Sequence, residues 1–264
     1  MKLIKWMLYL IIFFVGYVAI LELPSSLTIT ISYALETTVI VSFELPLVTL
    51  LDIIITPPFA IIMFYYIQKS LIIQPLSGDV KPSEMKKDII RGLIFGACIV
   101  FIAGVIMHAV GNVLDGFEGN PPNPVGDIQI AIYFFDEVLG HKLIHAGIIA
   151  FLIGCMVLQF WHQIDEQLSK LDIFGVYFWP SAIGVGYMLA LVEGQAAFDI
   201  LVTSLALIAV ILYYIGFKGL KLSKNRFTHF VLILLVAFVI SAIIYGFITG
   251  FVPGYPFFKQ PSRL

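Results

Sequence analysis

Apolar and polar positions alternate along this chain in long blocks. Residues 3–22, 46–70, 89–113, 128–161, 173–192, 196–217 and 227–250 are runs dominated by Leu, Ile, Val, Phe and Ala. Each has about the 20 residues that a helix needs to cross the hydrocarbon of a bilayer. Polar segments separate them: a Lys-bearing loop over 71–88, an acidic loop rich in Gly, Pro and Asn over 114–127, a polar loop over 162–172 and a basic loop over 218–226. The stretch 27–45 reads differently. Leu27, Ile29 and Ile31 alternate with Thr28, Thr30 and Ser32, and Val39, Val41 and Phe43 follow the same period of two. That period and the β-branched content predict a small hairpin outside the bilayer, between the first two helices. Pro57-Pro58 predicts a kink or break in the second helix, and Gly140 marks a break in the fourth. The pattern therefore predicts an all-α integral membrane protein of about seven transmembrane helices, forming one polytopic domain over 1–264.

Composition supports the membrane class and narrows the partners. The chain is 60% hydrophobic and 12% charged, with a mean hydropathy of +1.02, more apolar surface than a soluble domain of this length hides. A net charge of -2 gives no basic surface for nucleic acid. Cys98 and Cys155 lie inside apolar runs and read as small buried side chains, not as a disulfide or metal pair. Lys2 and Lys5 before an apolar run also fit a signal peptide, but the run is long and Leu23-Pro24-Ser25-Ser26 is a poor cleavage site. A first membrane span is the better reading. Lys2, Lys5 and the loops 71–88 and 218–226 carry the basic residues. The positive-inside rule then predicts a cytoplasmic N-terminus and an outside C-terminus.

Against this background, 131–147, AIYFFDEVLGHKLIHAG, stands out. It holds Asp136, Glu137, His141, Lys142 and His145 within ten residues. On an α-helix Tyr133, Glu137, His141 and His145, each four apart, share one face. His108 and Asn112 repeat that spacing on the third helix. With seven spans, these residues, Asp52, Glu193 and Asp199 all fall in the outer half of the membrane. Charged groups there are costly and by default mark function. His141-x-x-x-His145 is a spacing that lets two imidazoles bind one ion, and His108 supplies a third. Three histidines and an open position make a catalytic zinc shell. Glu137 or Asp136 would serve as general base or orient an imidazole, and Asn112 or Tyr133 would stabilise an oxyanion. The leading expectation is a metal-dependent, zinc, hydrolase acting on a lipid or lipid-like substrate that arrives sideways from the outer leaflet. An alternative is a di-iron or other metal-dependent oxidase of an apolar molecule, with Glu193, Asp52 and Asp199 as further ligands. A third is a proton- or ion-coupled transporter, although the two halves of the chain show no repeat. Haem between His108 and His141 or His145 is disfavoured by the adjacent carboxylates. Interhelical hydrogen bonding alone is the simplest alternative. His162 reads as a solvated loop residue, His229 as a headgroup contact, and Lys142 as an ion-pair partner of Asp136 or Glu193.

A histidine, an Asp-Glu pair and an HxxxH on membrane helices resemble the alkaline ceramidase and progestin-receptor-like superfamily of seven-helix zinc hydrolases. The resemblance sets His108 against that family's early histidine, Asp136-Glu137 against its acid and His141/His145 against its HxxxH. It implies a zinc amidase or lipase. The order differs: here the HxxxH shares a helix with the acidic pair, and Gly104 stands where the family has a serine.

Overall fold

The computed structural model describes residues 3–21, 27–36, 39–73, 82–118, 126–163, 168–193, 195–252 and 257–259. Helix α1 (Leu3–Leu21) leads to an antiparallel pair, β1 (Thr28–Glu36) and β2 (Val39–Pro46), with Thr28 opposite Pro46 and Ile31 opposite Phe43. A register irregularity falls between Ala34 and Glu36. The helices that follow are α2 (Leu47–Ile54), α3 (Thr56–Ile72), α4 (Glu84–Glu118), α5 (Asp127–Tyr133), a π-helical segment (Phe134–Gly140), α6 (His141–Trp161), α7 (Lys170–Glu193), α8 (Ala197–Lys218) and α9 (Arg226–Thr249).

The second apolar run is broken, as Pro57-Pro58 predicts. Helices α2 and α3 meet at 43°, and the prolines occupy the first turn of α3, where their missing N–H groups are not needed. Among the described residues, five helical stretches have the length and hydropathy of membrane spans: Glu84–Leu114, Asp127–Trp161, Lys170–Val192, Ala197–Lys218 and Arg226–Thr249; the bent α2–α3 pair passes as a sixth. Helix α1 is 19 residues long and apolar almost throughout. Its buried Trp6, Leu10 and Phe13 belong to the common core.

Two sub-bundles share that core. In one, α4 lies antiparallel to α6, with α1, α2 and α3 beside them; in the other, α7 pairs with α9 and α8 lies on its outside. The α4–α6 contact is built on small residues seven apart. Ala97, Gly104 and Gly111 on one helix meet Gly140, Gly147 and Gly154 across it. A methyl group on Gly104 would stand 2.5 Å from the Ile144 nitrogen and 2.7 Å from the Gly140 oxygen. One on Gly147 would stand 2.6 Å from the Phe101 nitrogen. Without a hydrophobic force between helices in lipid, such close backbone approach is what packing has to offer.

The helix ends sort by charge. Trp6 packs edge-on against Phe227 and Phe230, with centroids 5.1 and 5.4 Å apart. Met7 meets Gly175, and Ile94 meets Gly154. These contacts put the starts of α1, α4, α7 and α9 and the end of α6 on one face, with Lys5, Arg91, Lys170 and Arg226 at or near it. There Gln159 of α6, fully buried, accepts from the Phe227 and Thr228 amides at 2.6 and 3.1 Å and so closes the first turn of α9. His162, expected to be solvated, is instead buried at the end of α6.

Candidate functional site

At the other end of the α4–α6 pair, the helix N-terminal to Gly140 is not α-helical. Seven residues from Phe134 adopt π geometry. An i→i+5 turn holds one more residue than an α turn, so the face facing α4 changes register across it. Asp136, five residues before His141, turns inward and is buried. Glu137, four before His141, lies to the side, with its carboxylate 3.9 Å from His141 Nε2 and its side chain a third exposed. The acid that couples to α4 is therefore Asp136, while Glu137, His141 and His145 remain neighbours along the helix.

Gly111 makes room for this: a methyl group there would collide with the Asp136 side chain. One turn earlier on α4, His108 Nδ1–H donates to Asp136 Oδ1 at 2.5 Å. Asn112 Nδ2 donates to the opposite ring nitrogen, Nε2, at 3.2 Å. Together these contacts fix the tautomer: the proton is on Nδ1 and the lone pair on Nε2. The His108 and His141 rings meet edge-on with centroids 4.4 Å apart, and His141 and His145 stack at 6.2 Å. His145 Nδ1 and the Tyr187 hydroxyl of α7 hydrogen-bond at 2.9 Å. The other nitrogen of that ring, Nε2, is buried and has no hydrogen-bond partner among the described residues. Asp52 is buried on α2, accepts from Thr56 Oγ1 at 3.0 Å and lies within electrostatic reach of His108 and Tyr17.

The remaining candidates sit around the mouth. Lys142 pairs with Asp199 of α8 at 3.0 Å, both side chains roughly 40–45% exposed. Tyr133 receives a hydrogen bond from Gln195, in the turn between α7 and α8, so it ties the rim of the site to the second sub-bundle. Glu193 ends α7, and its side chain falls outside what the structure describes.

Three histidines, Asp136, Asp52 and Asn112 are thus gathered from α2, α4, the π segment and α6. Tyr187, Tyr17, Thr56 and Gln195 complete the cluster without having been singled out in the sequence. A lone tyrosine in an apolar run has no spacing to mark it. Gln195 gave a faint signal, as a polar residue beside Gly194 at a helix junction.

Toward the middle of the helix pair the cluster is closed off by aromatic side chains. Seven residues down α4 from His108 comes Phe101, and six down α6 from His145 comes Phe151; both are fully buried. With Phe13 and Phe64 they form an aromatic floor in which Phe64 and Phe151 stack at 3.8 Å. Among the described residues, no three His, Cys, Asp or Glu side chains are placed so that they already converge on a metal position. The donor chemistry nevertheless suits a zinc ion. His108 and His145 are both held through Nδ1, and Nε2 of His145 is a buried nitrogen with no hydrogen-bond partner among the described residues. Comparison with family models, curated proteins and solved structures gives no match for this chain.

Proposed function

We propose that the chain is a membrane-embedded hydrolase of a lipid or lipid-like substrate, centred on the His108–Asp136 pair, with zinc held by His108, His141 and His145. The observation that carries the reading is the second-layer pattern. A carboxylate grips His108 and a phenol grips His145, each through Nδ1, which is how metal-ligating or proton-transferring imidazoles are oriented from behind. His141 lies between them. Asn112 now engages His108 Nε2 and would have to release it for that nitrogen to hold zinc, with His141 and His145 as the other ligands. Zinc, when bound, supplies Lewis acidity and a water that ionises near neutral pH.

The chain's own groups do the rest. Asp136 keeps the His108 proton on Nδ1. Glu137, at the partly exposed edge, would take the proton from the water as it attacks the substrate's acyl carbon and return it to the alcohol or amine that leaves as the acyl bond breaks. The Asn112 amide, once released, donates to the developing oxyanion. The resemblance to seven-helix zinc hydrolases points to the same reaction class. The aromatic floor speaks against a carrier, because a conduction path needs polar groups on through to the opposite face.

In this reading the chain has seven spans: α1, the α2–α3 pair, α4, α5 with the π segment and α6, α7, α8 and α9. The β1–β2 hairpin stands outside the bilayer. The N-terminus is cytoplasmic and the site faces the outer leaflet. The gathering of Lys5, Arg91, Lys170 and Arg226 at one end of the bundle supports that orientation.

The test is metal analysis of the purified chain beside a His141→Ala/His145→Ala variant, with a lipid hydrolysis assay on both. About one zinc per chain, lost with hydrolysis in the variant, is the expected result. Two irons per chain would replace the hydrolase with an oxidase in which Asp52, Asp199 and Glu193 are ligands. Neither metal nor hydrolysis in the wild type would overturn the reading.

A further inference from the structure

The opposite, basic end of the bundle holds a second polar cavity, of about 380 Å3, lined by Leu168, Ile173, Val176, Tyr177, Arg226 and His229. Tyr177 and His229 meet edge-on with centroids 5.2 Å apart, which holds the imidazole against α7. Two nitrogen atoms here are buried without a hydrogen-bond partner among the described residues: Arg226 Nε and His229 Nδ1. Arginine does not give up its proton in proteins, so its Nε–H is always a donor in want of an acceptor. Nor is this the open end of a helix, because Gln159 already takes the Phe227 and Thr228 amides.

We propose that this cavity binds a phosphate group, that of an anionic phospholipid of the facing leaflet. Phosphate oxygens satisfy the guanidinium edge and the imidazole together. Leu168, Ile173 and Val176 offer an apolar wall to the glycerol and upper acyl carbons. Lys170 and Lys224 belong to the same basic end and draw anionic lipid toward it. The site is separate from the His108–Asp136 cluster, and its occupancy does not depend on the hydrolase reading.

The test is native mass spectrometry of the detergent-purified full chain, titrated with phosphatidylglycerol, with phosphatidylcholine and with inorganic phosphate. One phosphatidylglycerol should be retained in preference to phosphatidylcholine. Arg226→Lys keeps the charge but removes the Nε–H, and should weaken retention about tenfold, as should His229→Gln. Lys218→Gln/Lys221→Gln, outside the cavity, should change it by no more than about twofold. Unchanged retention in Arg226→Lys would overturn the site. So would an equal loss in the double lysine variant, which would reduce the effect to surface charge. Displacement of the lipid by inorganic phosphate would support the phosphate site and overturn a lipid as its source.

Discussion

The lower and upper halves of the α4–α6 pair are made from the same two helices and the same glycine spacing, yet they are filled in opposite ways. Below, Phe101 and Phe151 join Phe13 and Phe64 in a stacked aromatic layer. Above, one to two turns along the same faces, the space goes to His108, Asp136, His141 and His145, with a π segment in place of an α-helix. The lower half packs apolar and aromatic side chains between two regular α-helices. The upper half departs from this: it interrupts the helix, buries carboxylates and leaves a buried imidazole nitrogen without a partner among the described residues. Such departures are what a functional site costs, and the regular half below supplies the stability that offsets them.

Emptying the floor should give the largest effect on the fold. Phe151→Ala removes a fully buried ring stacked at 3.8 Å on Phe64. It should destabilise the protein by about 3–5 kcal/mol, the range for buried Phe→Ala changes. Thermal unfolding in detergent, followed by loss of the monodisperse peak, measures it. Loss of metal or activity in this variant should follow unfolding and not precede it. A variant as stable as wild type would remove the distinction between the halves.

Next in size comes the seam common to both. Gly104 lies between the floor and His108, and its missing side chain admits the Ile144 and Gly140 backbone. Gly104→Val cannot be relieved by a rotamer change, because the obstructing atoms are main chain. It should cost about 1–3 kcal/mol and also displace the π segment. Weaker metal retention should therefore accompany the lowered melting temperature. Stability lost with the site intact would show that the seam and the site are independent.

These contrasts explain what could be read in the sequence. Length and hydropathy mark the apolar runs, and Pro57-Pro58 marks the break between α2 and α3, because both are local properties. The cluster was legible because His108, Asp136, His141 and His145 are expensive residues in apolar runs. Its internal wiring was not legible. An α-helical wheel puts Glu137 on the histidine face, where it does lie beside His141, but it does not show that the π segment also turns Asp136 inward to His108 of α4. Nothing in FFDEVLG announces an i→i+5 turn; the room for it comes from Gly111 on another helix. Tyr187 was invisible for a related reason, since its role exists only through His145. Lys142 shows the limit from the other side: an ion pair was expected of it, but the partner, Asp199, is set by how α8 packs.

The smallest effect on stability, and the sharpest on function, is expected of Asp136→Asn. The amide has nearly the same volume, so the fit against Gly111 is kept, and its oxygen still accepts from His108 Nδ1. What is lost is the negative charge behind the imidazole. If Asp136 orients His108 for metal or proton transfer, removing that charge should lower metal affinity or hydrolysis about 10–100-fold, the usual range for a partner behind a ligating histidine. The melting temperature should stay close to wild type. A melting temperature that falls as far as in Gly104→Val would identify the pair as interhelical glue, and the upper half would then differ from the floor in composition only. Normal stability with weakened metal binding would establish that the two halves of one helix pair have been divided between folding and chemistry.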